Sequence, residues 1–167
     1  MTNQTNNTNH INNTNHINHI NQTNHTNHTN HINHINKTAI ITGASRGIGA
    51  AIAKKLASCG YNLSLCCRNS SDRLKALADE LHCAYGIEVL CYTGNVGDFF
   101  FAKDMVANTI SHFGHIDVLI NNAGISHIGL LSDMTPDEWN NIVAINLTGV
   151  FNFTKLVTPY MVADKCG

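Results

Sequence analysis

An α/β fold, in which helices cover both faces of a parallel sheet, is predicted for residues 37–167 from two observations. Short apolar runs alternate with amphipathic stretches along this region, and a glycine-rich turn follows the first apolar run. Strand–helix alternation at this spacing is typical of right-handed βαβ units, whose strands are parallel. The predicted strands span residues 38–42, 61–67, 87–93 and 116–121.

The helices between these strands are predicted from apolar residues that recur at helical spacing. They span residues 47–59, where Gly60 ends the helix, then 71–84 and 98–113. The apolar positions are Ile48, Ile52, Ala53 and Leu56 in the first, Leu74, Leu77, Ala78 and Leu81 in the second, and Met105, Val106, Ile110 and Phe113 in the third.

The last helix is predicted to run from Pro136 to about residue 160. Thr135 is placed to cap it, Pro136 suits the first helical position, and Glu138 lies three residues after the cap.

The start of the third helix fits the amphipathic pattern less well, since three phenylalanines occupy residues 99–101. Three consecutive side chains of a helix cannot all face the core, so at least one is expected to be exposed.

Charge and composition narrow the classes of function. The 167 residues carry a formal net charge of −1, which gives no basic surface for nucleic acid or an anionic membrane. No apolar run approaches the roughly 20 residues that span a bilayer, and the N-terminus does not resemble a signal peptide. The six cysteines form no CxxC pair, which favours a reducing, cytoplasmic setting.

Residues 1–36 differ in composition from the rest of the chain. They contain no charged residue, asparagine recurs every third position, and seven of the eleven histidines lie there. We expect this low-complexity tail to be disordered, because it has too few apolar residues for a core. Its histidines are consistent with metal capture or with a slipped tandem repeat. No metal site is predicted, since no carboxylate or cysteine accompanies them.

The stretch TGASRGIG, residues 42–49, joins the first predicted strand to its helix. Glycines at such a turn let a ligand approach the backbone closely and leave the N–H groups of the helix N-terminus pointing outward. These donors and the positive end of the helix dipole suit a phosphate or a pyrophosphate. By themselves the glycines are also consistent with a tight structural turn.

Three motifs together resemble the short-chain dehydrogenase/reductase family: TGASRGIG, then NNAG at 121–124, then Asn146 within AINLTGVF. The resemblance covers residues 38–167 and implies a Rossmann-type, doubly wound parallel sheet, of which this chain supplies about four strands. It also implies a dinucleotide cofactor on the glycine-rich turn, on NNAG and beside the adenine. The implied cofactor-binding residues are Thr42, Gly43, Ser45, Arg46, Gly47, Ile48, Gly49, Asn95, Val96, Asn122, Ala123 and Gly124.

The cofactor is predicted to be NADP(H) rather than NAD. An NAD-binding fold places a carboxylate after its second strand, where it accepts hydrogen bonds from the ribose hydroxyls. This chain has Arg68 at that place, and Arg46 adds a second guanidinium from the glycine-rich turn. Two cations there suit a 2′-phosphate, although both arginines are also consistent with solvated surface charges.

The resemblance implies a hydride transfer to a carbonyl carbon, assisted by a serine, a tyrosine, a lysine four residues after it, and an asparagine. Asn146 matches the catalytic asparagine, which holds a water in a proton relay. The other three residues are expected after Gly167, because the chain contains no Tyr-x-x-x-Lys pair. The implied substrate is a small-molecule or acyl-carrier-bound carbonyl compound such as a 3-oxoacyl thioester. The alternative is a nucleotide-binding fragment without catalysis.

Quaternary structure is suggested by the last helix, which is apolar nearly all round. In the family this helix forms half of a dimer contact, so the resemblance implies a homo-oligomer, either a dimer or a tetramer. A monomeric core would also account for the apolar residues.

Overall fold

The computed structural model describes residues 37–165, and the predicted disordered tail, residues 1–36, lies outside the described residues. The strands are β1 (Thr38–Ile41), β2 (Asn62–Cys67), β3 (Val89–Thr93) and β4 (Val118–Ile120). The helices are α1 (Gly47–Ser58), α2 (Ser71–Tyr85), α3 (Phe99–Phe113), α4 (Pro136–Val143) and α5 (Gly149–Asp164). A π-helical segment, Ala144–Thr148, joins α4 to α5.

The four strands form one sheet in the order β3-β2-β1-β4, and every neighbouring pair is parallel. The chain therefore builds outward from β1 to β3 and then returns to the other side of β1. Between β1 and β4 the connections leave in opposite directions, and in open α/β sheets such a switch point is where ligands bind. The predicted doubly wound architecture is confirmed.

Side chains alternate between the two faces of the sheet, so each face has its own apolar core. Ala39 and Ile41 of β1 pack with apolar residues of α1 and α2. Ile40, between them, faces the opposite side and packs with α3 and α5, where Phe153 is fully buried. The sheet is thus the middle layer of three, and its carboxyl edge is left to the connecting loops.

Helix α1 buries the predicted apolar stripe except at its first residue: Ala53 is buried, and Ile52 and Leu56 pack against the same core. Gly49, Ala53 and Ala57 face the sheet, and Ile48 is 74% exposed. Small residues on the inner face let the helix lie close to the strands, whereas Ile48 is left free in the first turn, beside the loop. The prediction of Ile48 as part of the buried face is wrong.

The three phenylalanines at the start of α3 divide as expected. Phe100 is 72% exposed and Phe99 is partly exposed, while Phe101 turns inward and packs in the α3–α5 core. The Phe101 ring lies against the α-carbon of Gly94, at a place that any side chain would occupy. Glycine at residue 94 therefore allows the end of β3 to meet this ring.

The last helix begins at the predicted cap. The Thr135 hydroxyl accepts a hydrogen bond from the Glu138 N–H at 3.3 Å, and the Thr135 N–H donates to the Glu138 carboxylate at 2.8 Å. The Thr135 N–H and the Thr135 hydroxyl, which also donates to the carboxylate at 2.8 Å, hold the pKa of the exposed Glu138 carboxyl below its usual value, because they favour the charged form. The capping box that the sequence predicts is confirmed.

α4, the π-helical segment and α5 form one continuous helix from Pro136 to Asp164. In the part of the chain that the structure describes, this is the one helix long and apolar enough to cross a membrane by length and composition. The apolar runs of the sequence did not indicate a helix of this apolar length. Phe153 and Val157 on its inner side are fully buried in the core with α3. A core helix of a soluble protein passes the same test.

A single threonine hydroxyl ties β1 to the loop after β4. Thr42 follows β1 and is 2% exposed, and its Oγ1 accepts hydrogen bonds from the N–H groups of Asn122 and Ala123, each at 3.0 Å. The Thr42 N–H continues the ladder by donating to the Ile120 carbonyl at 3.0 Å. The Thr42 hydroxyl thus takes the place of a backbone carbonyl as acceptor where β1 and β4 begin to separate.

Replacing Thr42 with valine is expected to destabilise the fold. Two partly buried N–H groups would lose their acceptor, and at about 1–3 kcal/mol each the free energy of unfolding should fall by about 2–6 kcal/mol. Urea denaturation measures this change. The matched variant Thr42→Ser keeps the hydroxyl and should cost only about 1 kcal/mol for the lost methyl group. Equal losses in the two variants would contradict a role for the hydroxyl.

Candidate functional site

A cleft of about 600 Å³ opens at the carboxyl edge of the sheet, above β1, β2 and β4. Four loops form its walls: the glycine-rich turn after β1, the loops after β2 and β3, and the loop after β4. The lining residues are Gly43, Ser45, Arg46, Gly47, Ile48, Cys66, Cys67, Arg68, Asn69, Ser70, Gly94, Asn95, Val96, Asn122, Ala123, Gly124, Ile125 and Ile145.

Two glycines of the turn are required by close packing. Gly43 has φ +67°, and a Cβ there would lie 2.9 Å from the Ala123 α-carbon. At Gly49 a Cβ would lie 2.5 Å from both the Gly43 carbonyl and the Asn122 amide nitrogen. Neither position has room for a side chain, so these glycines let the turn fold onto the loop after β4.

Glycine is needed at the third position, Gly47, for a different reason. Gly47 has φ +57°, and no atom lies within 4 Å of the position that a Cβ would take. Gly47 also lines the cleft. It begins α1, whose first N–H groups have no intrahelical acceptor, and the Arg46 side chain does not cap them. Such donors, together with the helix dipole, are suited to an anion.

Asn122 fixes the glycine-rich turn from the opposite side. Its amide nitrogen donates to the Thr42 carbonyl at 3.0 Å and to the Gly43 carbonyl at 3.1 Å. Hydrogen bonds within the protein therefore fix the shape of the turn and the direction of its N–H groups. Preorganised donors of this kind lose little entropy when an anion binds.

The turn after β3, residues 95–97, forms the third wall. The Asn95 side-chain oxygen accepts from the Gly97 N–H at 3.1 Å, and the Asn95 carbonyl accepts from the Asp98 N–H at 3.0 Å. Asp98 then caps α3 by accepting from the Phe100 N–H. Val96 also lines the cleft but is only 7% exposed, because its side chain packs in the core with α3 and α5. None of the lining residues of this wall, Gly94, Asn95 and Val96, is charged, so the wall suits a neutral group.

Both predicted arginines lie at the cleft and are exposed. Within residues 37–165 the structure pairs neither Arg46 nor Arg68 with a carboxylate, and none of the lining residues is an aspartate or a glutamate. The rim of the cleft therefore carries two guanidinium groups without a carboxylate partner, Arg46 from the turn after β1 and Arg68 from the loop after β2, and both favour an anionic ligand. Asn69 and Ser70 add polar groups beside them.

Asn146 lies in the π-helical segment and contacts the loop after β4. Its side-chain oxygen accepts from the Ile125 N–H at 2.9 Å, and its nitrogen donates to the Ile125 carbonyl at 2.8 Å. Both polar atoms of the side chain are engaged with the Ile125 backbone. π-Helical turns within α-helices occur frequently at functional sites. The geometry makes Asn146 a link between this helix and the end of the NNAG loop.

Cys66 closes the floor of the cleft without adding reactivity to it. The thiol is buried, and burial raises its pKa to about 12, against a smaller opposing effect of a hydrogen bond from the Gly43 backbone. At neutral pH the thiol is therefore protonated, and a protonated thiol is a poor nucleophile and metal ligand. In residues 37–165 no group of three or more histidine, cysteine or acidic side chains could hold a metal ion.

The structure brings most of the predicted cofactor-binding residues into this one cleft. Thr42 and Gly49 do not line it; they lie beneath its surface and hold its shape. The roles assigned to these residues and to Asn146 stay predictions. Seven lining residues were not predicted from the sequence: Cys66, Cys67, Asn69, Ser70, Gly94, Ile125 and Ile145. Asn69 and Ser70 directly follow Arg68 and were open to prediction from that position.

Comparison with known proteins agrees with this geometry. The model of the short chain dehydrogenase family matches residues 37–167. The chain is 42% identical over 131 residues to the 3-oxoacyl-acyl-carrier-protein reductase FabG of Staphylococcus epidermidis, covering 78% of this chain and 53% of that protein. It is 38% identical over 125 residues to a D-beta-hydroxybutyrate dehydrogenase of Cupriavidus necator, covering 75% and 48%. The chain thus spans about half the length of these relatives.

Comparison with solved structures leads to the same family. The alcohol dehydrogenase of the archaeon Thermococcus sibiricus, complexed with 5-hydroxy-NADP, is similar with a TM-score of 0.74 and 35% identity, covering 78% of this chain and 55% of that one. A metagenomic short-chain oxidoreductase in complex with NADP has a TM-score of 0.75 and 35% identity, covering 79% and 59%. The chain belongs to the short-chain dehydrogenase family.

Proposed function

We propose that this chain is the cofactor-binding part of an NADP(H)-dependent oxidoreductase that reduces a ketone, such as a 3-oxoacyl thioester, to the 3-hydroxy form. The observation that carries the cofactor assignment is the cleft itself, where an open helix N-terminus lies beside two unpaired guanidinium groups. The likeness to the FabG reductase supports the substrate class.

The residues that line the cleft fit each part of an NADP(H) molecule. The first N–H groups of α1, beside the open space at Gly47, would hold the pyrophosphate. Arg46 and Arg68 would hold the 2′-phosphate, with Asn95 and Val96 beside the adenine. Ser45, Ile48, Asn122, Ala123 and Gly124 would complete the contacts. The neighbours of known structure that contain NADP support this choice over NAD.

When bound, the cofactor supplies a hydride to the carbonyl carbon, and a proton must then reach the carbonyl oxygen. No tyrosine of the 167 residues has a lysine four residues after it, so we assign the proton donor to no residue of this chain. Asn146 would act on the nicotinamide side by holding the Ile125 backbone in place. Its side chain has both polar atoms engaged there, which modifies the relay role that the resemblance implies.

A second candidate function is nucleotide binding without catalysis by the chain as it stands. The missing Tyr-x-x-x-Lys pair favours it. The two candidates differ in one measurement, the loss of NADPH absorbance when the chain is mixed with a 3-oxoacyl thioester. NADPH oxidation above the background rate would support catalysis, and binding without oxidation would support the second candidate.

A homo-oligomer is part of the proposal. The outer side of the last helix leaves Leu147, Phe151 and Val162 exposed by 66%, 55% and 70%. Exposed apolar surface of this kind is typical of protein–protein interfaces.

We also propose a cytoplasmic location, which agrees with the free thiols of the five cysteines in the described part of the chain.

The pyrophosphate assignment predicts that Gly47→Asp removes NADPH binding. The carboxylate would enter the open space at the N-terminus of α1 and repel the phosphates, so the dissociation constant should rise by about 100-fold or more. NADPH fluorescence titration measures it. Gly60→Asp is a matched control, since Gly60 also has a positive φ and open space but lies at the other end of α1. Unchanged affinity in Gly47→Asp would exclude the assignment.

The 2′-phosphate assignment predicts that Arg68→Asp shifts preference from NADPH toward NADH. Charge-assisted hydrogen bonds contribute about 1.5–3 kcal/mol, so the ratio of the two affinities should fall by about 10- to 100-fold. Titration with both nucleotides gives the ratio. Arg73→Asp makes the same charge change on α2, outside the cleft lining, and should leave the ratio unaltered. The same ratio in all three proteins would argue against Arg68 as the phosphate ligand.

A further inference from the structure

Asn152 is a buried amide whose hydrogen bonds go to a loop of the cleft. It lies on α5 and is 2% exposed. Its side-chain nitrogen donates to the carbonyls of Val96 and Gly97, each at 3.2 Å. These carbonyls belong to the 95–97 turn, which lines the cleft. Asn152 itself does not line the cleft, so it can act on a ligand only through this turn.

The turn and the helix are also in close steric contact. A Cβ at Gly97 would lie 2.7 Å from the Ala144 carbonyl, and a Cβ at Gly149 would lie 2.8 Å from the Val96 Cγ2 atom. Glycine at both positions brings the turn directly onto the helix. The approach places the two carbonyls within reach of the Asn152 side chain, which donates to both.

We propose that Asn152 is a positioning residue that fixes the 95–97 turn and thereby sets the affinity for the adenosine half of the cofactor. The inference rests on the proposed function, which places the adenine beside Asn95 and Val96. Two buried carbonyls that share one amide group are held at a fixed distance from the helix. Without the amide they must turn toward solvent to find a partner, and the Val96 side chain would move with them.

Asparagine has the chemistry that this position needs. Its amide nitrogen carries two hydrogens, one for each carbonyl, whereas a hydroxyl group has only one. Leucine has the same branching as asparagine, with two larger methyl groups in place of the amide oxygen and nitrogen, and it has no donor. Asn152→Leu therefore removes both hydrogen bonds and leaves no large cavity.

The experiment uses the 167-residue chain and the variant Asn152→Leu. The dissociation constant for NADPH, measured by fluorescence titration, should rise by about tenfold. Amide hydrogen exchange of the protein without ligand should accelerate at residues 95–98 and stay unchanged at residues 47–53 of α1. The local pattern separates positioning of the turn from a general loss of stability, which would accelerate both segments.

Thr109→Val is the matched control. Thr109 is fully buried on α3, where its hydroxyl donates to the Met105 carbonyl at 2.7 Å and lies 2.7 Å from the Ser64 hydroxyl. The change removes a buried hydrogen-bonding group outside the cleft lining. Its melting temperature should fall to a similar degree, and its NADPH affinity should stay within about twofold of the original.

Gly149→Ala tests the same turn without removing a hydrogen bond. Alanine favours a helix more than glycine does, so α5 itself should not be weakened. The added methyl group would press on the Val96 side chain and move the turn. We expect weaker NADPH binding in this variant too, which keeps the test decisive if Asn152→Leu does not fold.

The outcomes separate this inference from the proposed function. If the original chain does not bind NADPH, the proposed function fails, and the inference fails with it. If the original chain binds NADPH and both Asn152→Leu and Gly149→Ala bind it equally well, only the inference is overturned. Equal weakening by Thr109→Val and Asn152→Leu, with exchange accelerated in both segments, would also overturn it.

Discussion

The cleft depends on one hydroxyl group, that of Thr42. β1 and β4 are neighbours in the sheet, but the chain leaves them in different directions, and their ladder ends at this residue. The hydroxyl binds the N–H groups of Asn122 and Ala123, which belong to a segment 80 residues later in the chain. Asn122 in turn binds the Thr42 and Gly43 carbonyls. This reciprocal set of bonds holds the glycine-rich turn and the NNAG loop together as a single rigid wall.

The second organising element is the long last helix. Within six residues it provides two asparagines that bind different loops: Asn146 binds Ile125 on one side of the cleft, and Asn152 binds the 95–97 turn on another. A regular α-helix places residues six apart on different faces, so the two side chains reach different loops. Asn146 itself lies in the π-helical segment, which alters the helical spacing locally. One helix therefore sets the distance between two walls whose strands lie at opposite ends of the sheet.

Local patterns in the sequence were sufficient to predict the strands, the helices and the capping box of Thr135, because apolar spacing and cap chemistry act over a few residues. Ile48 was misassigned because its exposure depends on how closely Gly49 and Ala53 approach the sheet. The π-helical segment and the bonds of Asn152 were not predicted either. They arise from contacts between residues far apart in the chain, and helical spacing holds no information about them. The glycines were assigned to a ligand-binding turn, and that role stays a prediction. Only the structure separates the glycines needed for packing from Gly47, which faces open space.

The 80-residue separation between the two halves of the Thr42 network also bears on biosynthesis. Ribosomes deliver the chain from its N-terminus, so β1, α1 and β2 emerge long before Asn122 does. The glycine-rich turn lacks its anchor throughout that interval, and the anion pocket is among the last parts to form. Nucleotide cannot guide the early steps of folding. It can stabilise the domain only once β4 has been translated and paired with β1.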